Sequence, residues 1–105
     1  MVHNAKKLDE LSDEELNEIK QDIREFPLDR VNRQLWADGV EGVEEFEAEF
    51  REFLCTYVDD PEGHPMPPSE GVDMYWHKFI LDTLLYRRFC NDVFGFYFHH
   101  SVPEE

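Results

Sequence analysis

Five side chains in the C-terminal third have the chemistry of metal ligands or of acid–base groups: Asp73, His77, Cys90, His99 and His100. They lie in VDMYWHKFILDTLLYRRFCNDVFGFYFHH, residues 72–100. This stretch holds three of the five histidines, one of the two cysteines and nine aromatic residues. Imidazole, thiolate and carboxylate are the usual ligands of Zn²⁺, so a transition-metal centre is one reading. Asp73 and His77 are four residues apart and share a face if the segment is helical. Each residue also has a plainer use. Asp73 can orient a neutral His77 through a hydrogen bond, Cys90 can be a buried core thiol, and His99–His100 can be a solvated pair. A Cys90–His77 nucleophile–base pair is the catalytic version. No second base, oxyanion loop, glycine-rich turn or phosphate-binding loop accompanies it, which favours binding over catalysis.

Chain geometry decides whether these groups can meet. If residues 70–94 form one straight helix, His77 and Cys90 are 13 residues apart, about 20 Å along the axis, and no metal bridges that. A bend at Asp82–Thr83 changes the outcome. Two shorter helices can then fold against each other, and an extended His99–His100 segment can reach their open end. The sequence reason to expect the bend is Asp82, a good N-cap residue between the apolar runs Trp76–Leu81 and Leu84–Val93.

The elements that would position the site read as helices throughout. LSDEEL is a helix start, with Ser12 and Glu15 as a capping box and Leu11 and Leu16 as a hydrophobic staple. Leu16, Ile19, Ile23 and Phe26 follow at helical spacing, and Pro27 ends the helix. A short second helix carries Leu28, Val31 and Leu35, with Gly39 just past its end. A third, VEEFEAEFREFLCTYV, puts Val43, Phe46, Phe50, Phe53, Leu54 and Tyr57 on one face, with Cys55 beside them. The segment 59–71, with four prolines, reads as a rigid loop containing a solvated His64. Ser69 caps a fourth helix through Leu81. A fifth, Thr83–Phe94, ends at Gly95, and FYFHH follows as a short extended tail. The expected fold is therefore all-α. It is a single domain over 1–105, a compact bundle of about five short helices with acidic helices over 1–58 and the motif-bearing segment over 72–100. Trp76, Phe79, Ile80, Tyr86 and Phe89 are expected in its core.

Charge narrows the function. The net charge is −15. Residues 1–70 carry 20 acids against 7 bases, residues 71–100 three of each, and the tail two more acids. Such a balance argues against direct binding of nucleic acid or of anionic membrane surfaces. No stretch approaches the ~18 apolar residues of a membrane span, and the N-terminus has no apolar signal-peptide core. Two cysteines make no disulfide scaffold, so a cytoplasmic setting with reduced thiols is expected.

Pro68, Ser69, Val72, Asp73, Trp76, His77, Ile80, Leu81, Thr83, Tyr86, Phe89, Cys90, Gly95, His99 and His100 together form a pattern of the type V-D-x-x-W-H…Y-x-x-F-C…G-x-x-x-H-H. This combination resembles small bacterial proteins that are similar to plant glycine-rich domain-containing proteins. The resemblance covers about half the chain and implies a fold and a candidate site more than an activity. Relatives often have proline at the Thr83 position, which implies a helix break there. The first reading is thus a small acidic binding or assembly domain with a His/Cys/Asp centre that holds Zn or another transition metal, or is only hydrogen-bonded. The second is an acidic interaction protein, in its sharpest form a nucleic-acid mimic. Its carboxylates, Asp9–Glu25 and Glu41–Glu52, would occupy a basic surface on a protein partner. The third is a Cys/His enzyme. Composition leaves the oligomeric state open.

Overall fold

The computed structural model describes residues 10–60 and 66–95. Within them the chain forms an all-α bundle, with α1 Asp13–Glu25, α2 Asp29–Ala37, α3 Val43–Asp59, α4 Glu70–Leu81 and α5 Thr83–Phe89, then one π-helical turn, Cys90–Phe94. No strand occurs among the described residues. His64, His99, His100, Asp9 and the FYFHH segment lie outside them.

The ends of the helices follow local chemistry. At α1, the Glu15 amide donates to Ser12 Oγ at 3.2 Å and the Ser12 amide donates to Glu15 Oε1 at 3.0 Å, which completes the capping box. Leu11 is buried, and Leu16 packs against the core, as a staple requires. At the end of α2 the Gly39 amide donates to Trp36 O and the Val40 amide to Leu35 O, each at 3.0 Å. This Schellman arrangement needs a left-handed residue, and Gly39 supplies φ +85°. Ser69 caps α4 by accepting from the Val72 amide at 3.2 Å.

One core joins the elements. Ile19 and Ile23 of α1, Val31 and Leu35 of α2, Phe50 and Leu54 of α3, Trp76 and Phe79 of α4, and Tyr86 and Phe89 of α5 are all buried in a single cluster. Burying a side chain such as Phe79 contributes about 1.5–3 kcal/mol. α3 lies centrally, packed by α1, α2 and α4, and α1 also touches the π turn. Of the expected core set, Ile80 is only half-buried, though packed against the cluster.

The chain does bend at Asp82, whose backbone (φ −85°, ψ 77°) leaves the helical region. The mechanism differs from the expected one. Asp82 makes no side-chain cap to α5. Instead its carboxylate accepts two bonds from Arg30 of α2, from Nε at 3.1 Å and from Nη2 at 3.3 Å.

The fifth helix also differs from the expected Thr83–Phe94. After Phe89 the turn widens, and the Gly95 amide donates to Cys90 O at 2.8 Å, five residues back. In a continuous α-helix Phe89 and Phe94 would point about 140° apart. The wider turn swings Phe94 onto the buried side, where its ring meets Phe89 edge-on at 5.8 Å. Gly95 (φ +82°) closes the turn. The region 59–71 is a shorter connection than the sequence suggests, because α3 runs to Asp59 and α4 starts at Glu70.

Gly71, in the first turn of α4, faces Phe46 of α3. A Cβ there would lie under 3.0 Å from three atoms of that ring. Replacing a helical glycine with alanine ordinarily gains up to about 1 kcal/mol. Here the clash should dominate, so Gly71→Ala is expected to destabilise by about 1–3 kcal/mol in urea unfolding. A neutral or stabilising result would mean that α3 and α4 are not packed this closely.

Candidate functional site

The α4 face offers the first part of the site. Asp73 and His77 are exposed on α4, one turn apart on the same flank. The buried stripe of the same helix is Val72, Tyr75, Trp76 and Phe79. Cys90, at the junction of α5 and the π turn, is 1% exposed and forms no disulfide. Asp73 and His77 therefore face outward while Cys90 belongs to the core. Among the described residues no group of three His, Cys, Asp or Glu side chains is arranged to hold a metal.

The fold-back that would assemble the site is held by a buried bond across the bend. Trp76 Nε1 of α4 donates to Tyr86 Oη of α5 at 2.9 Å. Around it the rings pack edge-on, Phe79 with Tyr86 at 4.8 Å and Phe79 with Phe89 at 5.2 Å. Phe26, just past the end of α1, closes on Phe89 at 5.0 Å. Trp76 and Tyr86 thus place both polar atoms inside an aromatic core without losing a hydrogen bond.

A second polar structure, buried at Tyr75 and Asn32 and half-buried at Glu47 and Arg51, runs through four helices. Tyr75 Oη of α4 donates to Asn32 Oδ1 of α2 at 2.6 Å. Asn32 Nδ2 donates to Glu47 Oε1 of α3 at 2.7 Å. Arg51 donates to Glu47 Oε2 from Nε at 2.8 Å and from Nη2 at 2.6 Å. Its Nη1 donates to the backbone carbonyl of Ile23 in α1 at 2.6 Å. Burial, reinforced by the nearby Glu47 charge, pushes the Tyr75 hydroxyl well above the usual tyrosine pKa, so it stays a neutral donor. No buried side-chain nitrogen or oxygen among the described residues lacks a hydrogen-bond partner.

This network was not expected from the sequence, although a signal was present. Asn32 falls between Leu28 and Leu35 in the apolar stripe of α2, and Glu47 falls between Val43 and Phe50 in that of α3. A polar residue inside an apolar stripe needs an internal partner. Glu47 thus leaves the exposed acidic set to which the Glu41–Glu52 run assigned it, because it is half-buried and fully engaged. Cys55, beside the apolar face of α3, is buried. Its thiol lies 3.9 Å from Lys20 O, and burial raises its pKa and keeps it protonated.

Fold and site together define a small all-α domain whose interior polar atoms are committed to one another. The chain belongs to the UCP032817-like family, whose model matches residues 28–105 and so takes in α2 through the π turn but not α1. No curated protein and no solved structure matches it.

Proposed function

We propose that this domain binds a protein partner through the carboxylates of α1 and α3, which occupy a basic surface. The observation that carries this reading is the distribution of exposed charge. Glu14 and Glu18 of α1 and Glu44, Glu45, Glu49 and Glu52 of α3 are all exposed. Two cations of the same helices are already held internally, Lys20 by Asp59 at 2.8 Å and Arg51 by Glu47 at 2.6 Å. A surface of one sign raises association rates and selects partners of the opposite sign. A basic nucleic-acid-binding protein is the sharpest form of such a partner. The absence of a disulfide between Cys55 and Cys90 is in keeping with a cytoplasmic setting, and no described helix is long and apolar enough to cross a membrane.

Association with a basic partner should weaken steeply between low and physiological salt, because exposed charges are screened over ~8–10 Å. Changing Glu44, Glu45 and Glu49 to Gln should slow association and leave stability unchanged. Glu47→Gln should instead cost about 1–3 kcal/mol, since it removes the charge that Arg51 and Asn32 bond. Association indifferent to salt and to the three exposed substitutions would leave the acid as a solubility device.

A second reading rests on the shared exposed flank of Asp73 and His77. In it they join the His99–His100 pair in a centre that holds Zn or another transition metal, while Cys90 of the expected ligand set stays in the core. The donor chemistry fits, since imidazole favours Zn²⁺ and a carboxylate orients the imidazole. Elemental analysis of protein purified without an affinity tag should then find close to one metal per chain, lost in His77→Ala. Metal-free protein, or retention of the metal in that variant, overturns this reading.

A further inference from the structure

A groove of about 240 Å³ lies between the C-terminal end of α1 and the π turn, lined by Asp22, Glu25, Phe26, Asp92 and Val93. Its floor is apolar, with Phe26 half-buried and Val93 buried. Asp22, Glu25 and Asp92 are exposed on its walls, two from α1 and one from the π turn. The π turn matters to this shape, because the widened turn carries both Asp92 and Val93. The volume is below the ~300 Å³ at which small-molecule pockets usually begin. It suits a single extended side chain.

We infer that this groove receives an arginine side chain of a basic partner. The inference rests on the acidic-face reading and names one point of contact within it. An arginine has an apolar stem to lie along Phe26 and Val93. Its planar guanidinium can stack on the Phe26 ring while its fork of N–H groups meets carboxylates on two walls. A lysine ammonium is a compact, strongly hydrated point charge and exploits neither feature as well. The neighbouring groups leave room for such a guest. Gln21 Nε2 donates to Glu25 Oε2 and steadies that carboxylate. Arg88 stands 3.9 Å from Asp92, both largely exposed, a contact weak enough to be displaced. Arg24 falls about 160° round α1 from Asp22, on the other flank.

The test uses the full chain labelled with ¹⁵N and titrated at fixed ionic strength. The probes are the blocked peptide Gly-Arg-Gly and its lysine counterpart. Amide shifts should concentrate at Asp22, Glu25, Phe26, Asp92 and Val93. The arginine peptide should bind about threefold or more tighter than the lysine peptide, because only the guanidinium pairs in bidentate fashion. Asp22→Asn and Asp92→Asn should each weaken it by a similar factor, and Glu49→Gln should not. Shifts spread evenly over α1 and α3, equal affinity for the two peptides, or no shifts at all would each overturn the groove. Evenly spread shifts would do so while leaving the acidic-face reading intact. That reading fails separately, on salt-indifferent association of a protein partner.

Discussion

The bundle depends on one chain of hydrogen bonds, Tyr75–Asn32–Glu47–Arg51, buried at Tyr75 and Asn32, half-buried at Glu47 and Arg51, and ending on the Ile23 carbonyl. Apolar packing holds helices together but is tolerant of sliding, because it is non-directional. A polar chain is not tolerant. Each bond has a length and an angle, and a buried group left without its partner costs about 1–3 kcal/mol. Tyr75, Asn32 and Glu47 with Arg51 belong to three different helices and the carbonyl to a fourth, so the network fixes the relative positions of α1 to α4. It also commits a glutamate in an acidic protein to an internal use.

The same logic extends to α5. The Trp76–Tyr86 bond spans the bend, and the Arg30–Asp82 pair ties the bend to α2. Asp82 is 7% exposed at its side chain while Arg30 is 62% exposed, so the pair shields a carboxylate that the turn would otherwise leave against the core edge. Fold-back then brings the π turn against α1, where the Phe26–Phe89 and Phe89–Phe94 contacts close the aromatic cluster. The acidic surface of α1 and α3 and the groove beside the π turn are displayed by a frame whose internal polar needs are already met.

Much of this was legible before the fold was known, and the rest failed for identifiable reasons. Ser12, Glu15, Gly39 and Ser69 act locally, within a few residues of themselves, so their caps could be read directly. The bend at Asp82 was legible in position but not in cause, since the partner of its carboxylate is Arg30, 52 residues away. The π turn was not legible. Phe89, Cys90, Val93 and Phe94 fit an ordinary helical stripe well enough, and the Gly95 amide bond to Cys90 O and the ring contacts of Phe94 decide otherwise. The internal role of Glu47 was hidden in the acidic run 41–52, because its partner Asn32 lies in α2, 15 residues away. Of the five candidate site residues, the structure places Asp73 and His77 on one exposed flank and Cys90 in the core, while His99 and His100 fall outside the described residues.

The central claim is that the polar chain through Asn32 acts as a unit, and a double-mutant cycle on Asn32→Leu and Tyr75→Phe tests it most directly. Unfolding free energies would be measured in urea for the wild type, both single variants and the pair. Asn32→Leu alone strands the buried Tyr75 hydroxyl, so adding Tyr75→Phe should then be milder than in the wild type. The account predicts a coupling energy of about 1–3 kcal/mol in that direction. Costs that simply add would contradict it, and would mean that apolar packing alone sets the register of the helices.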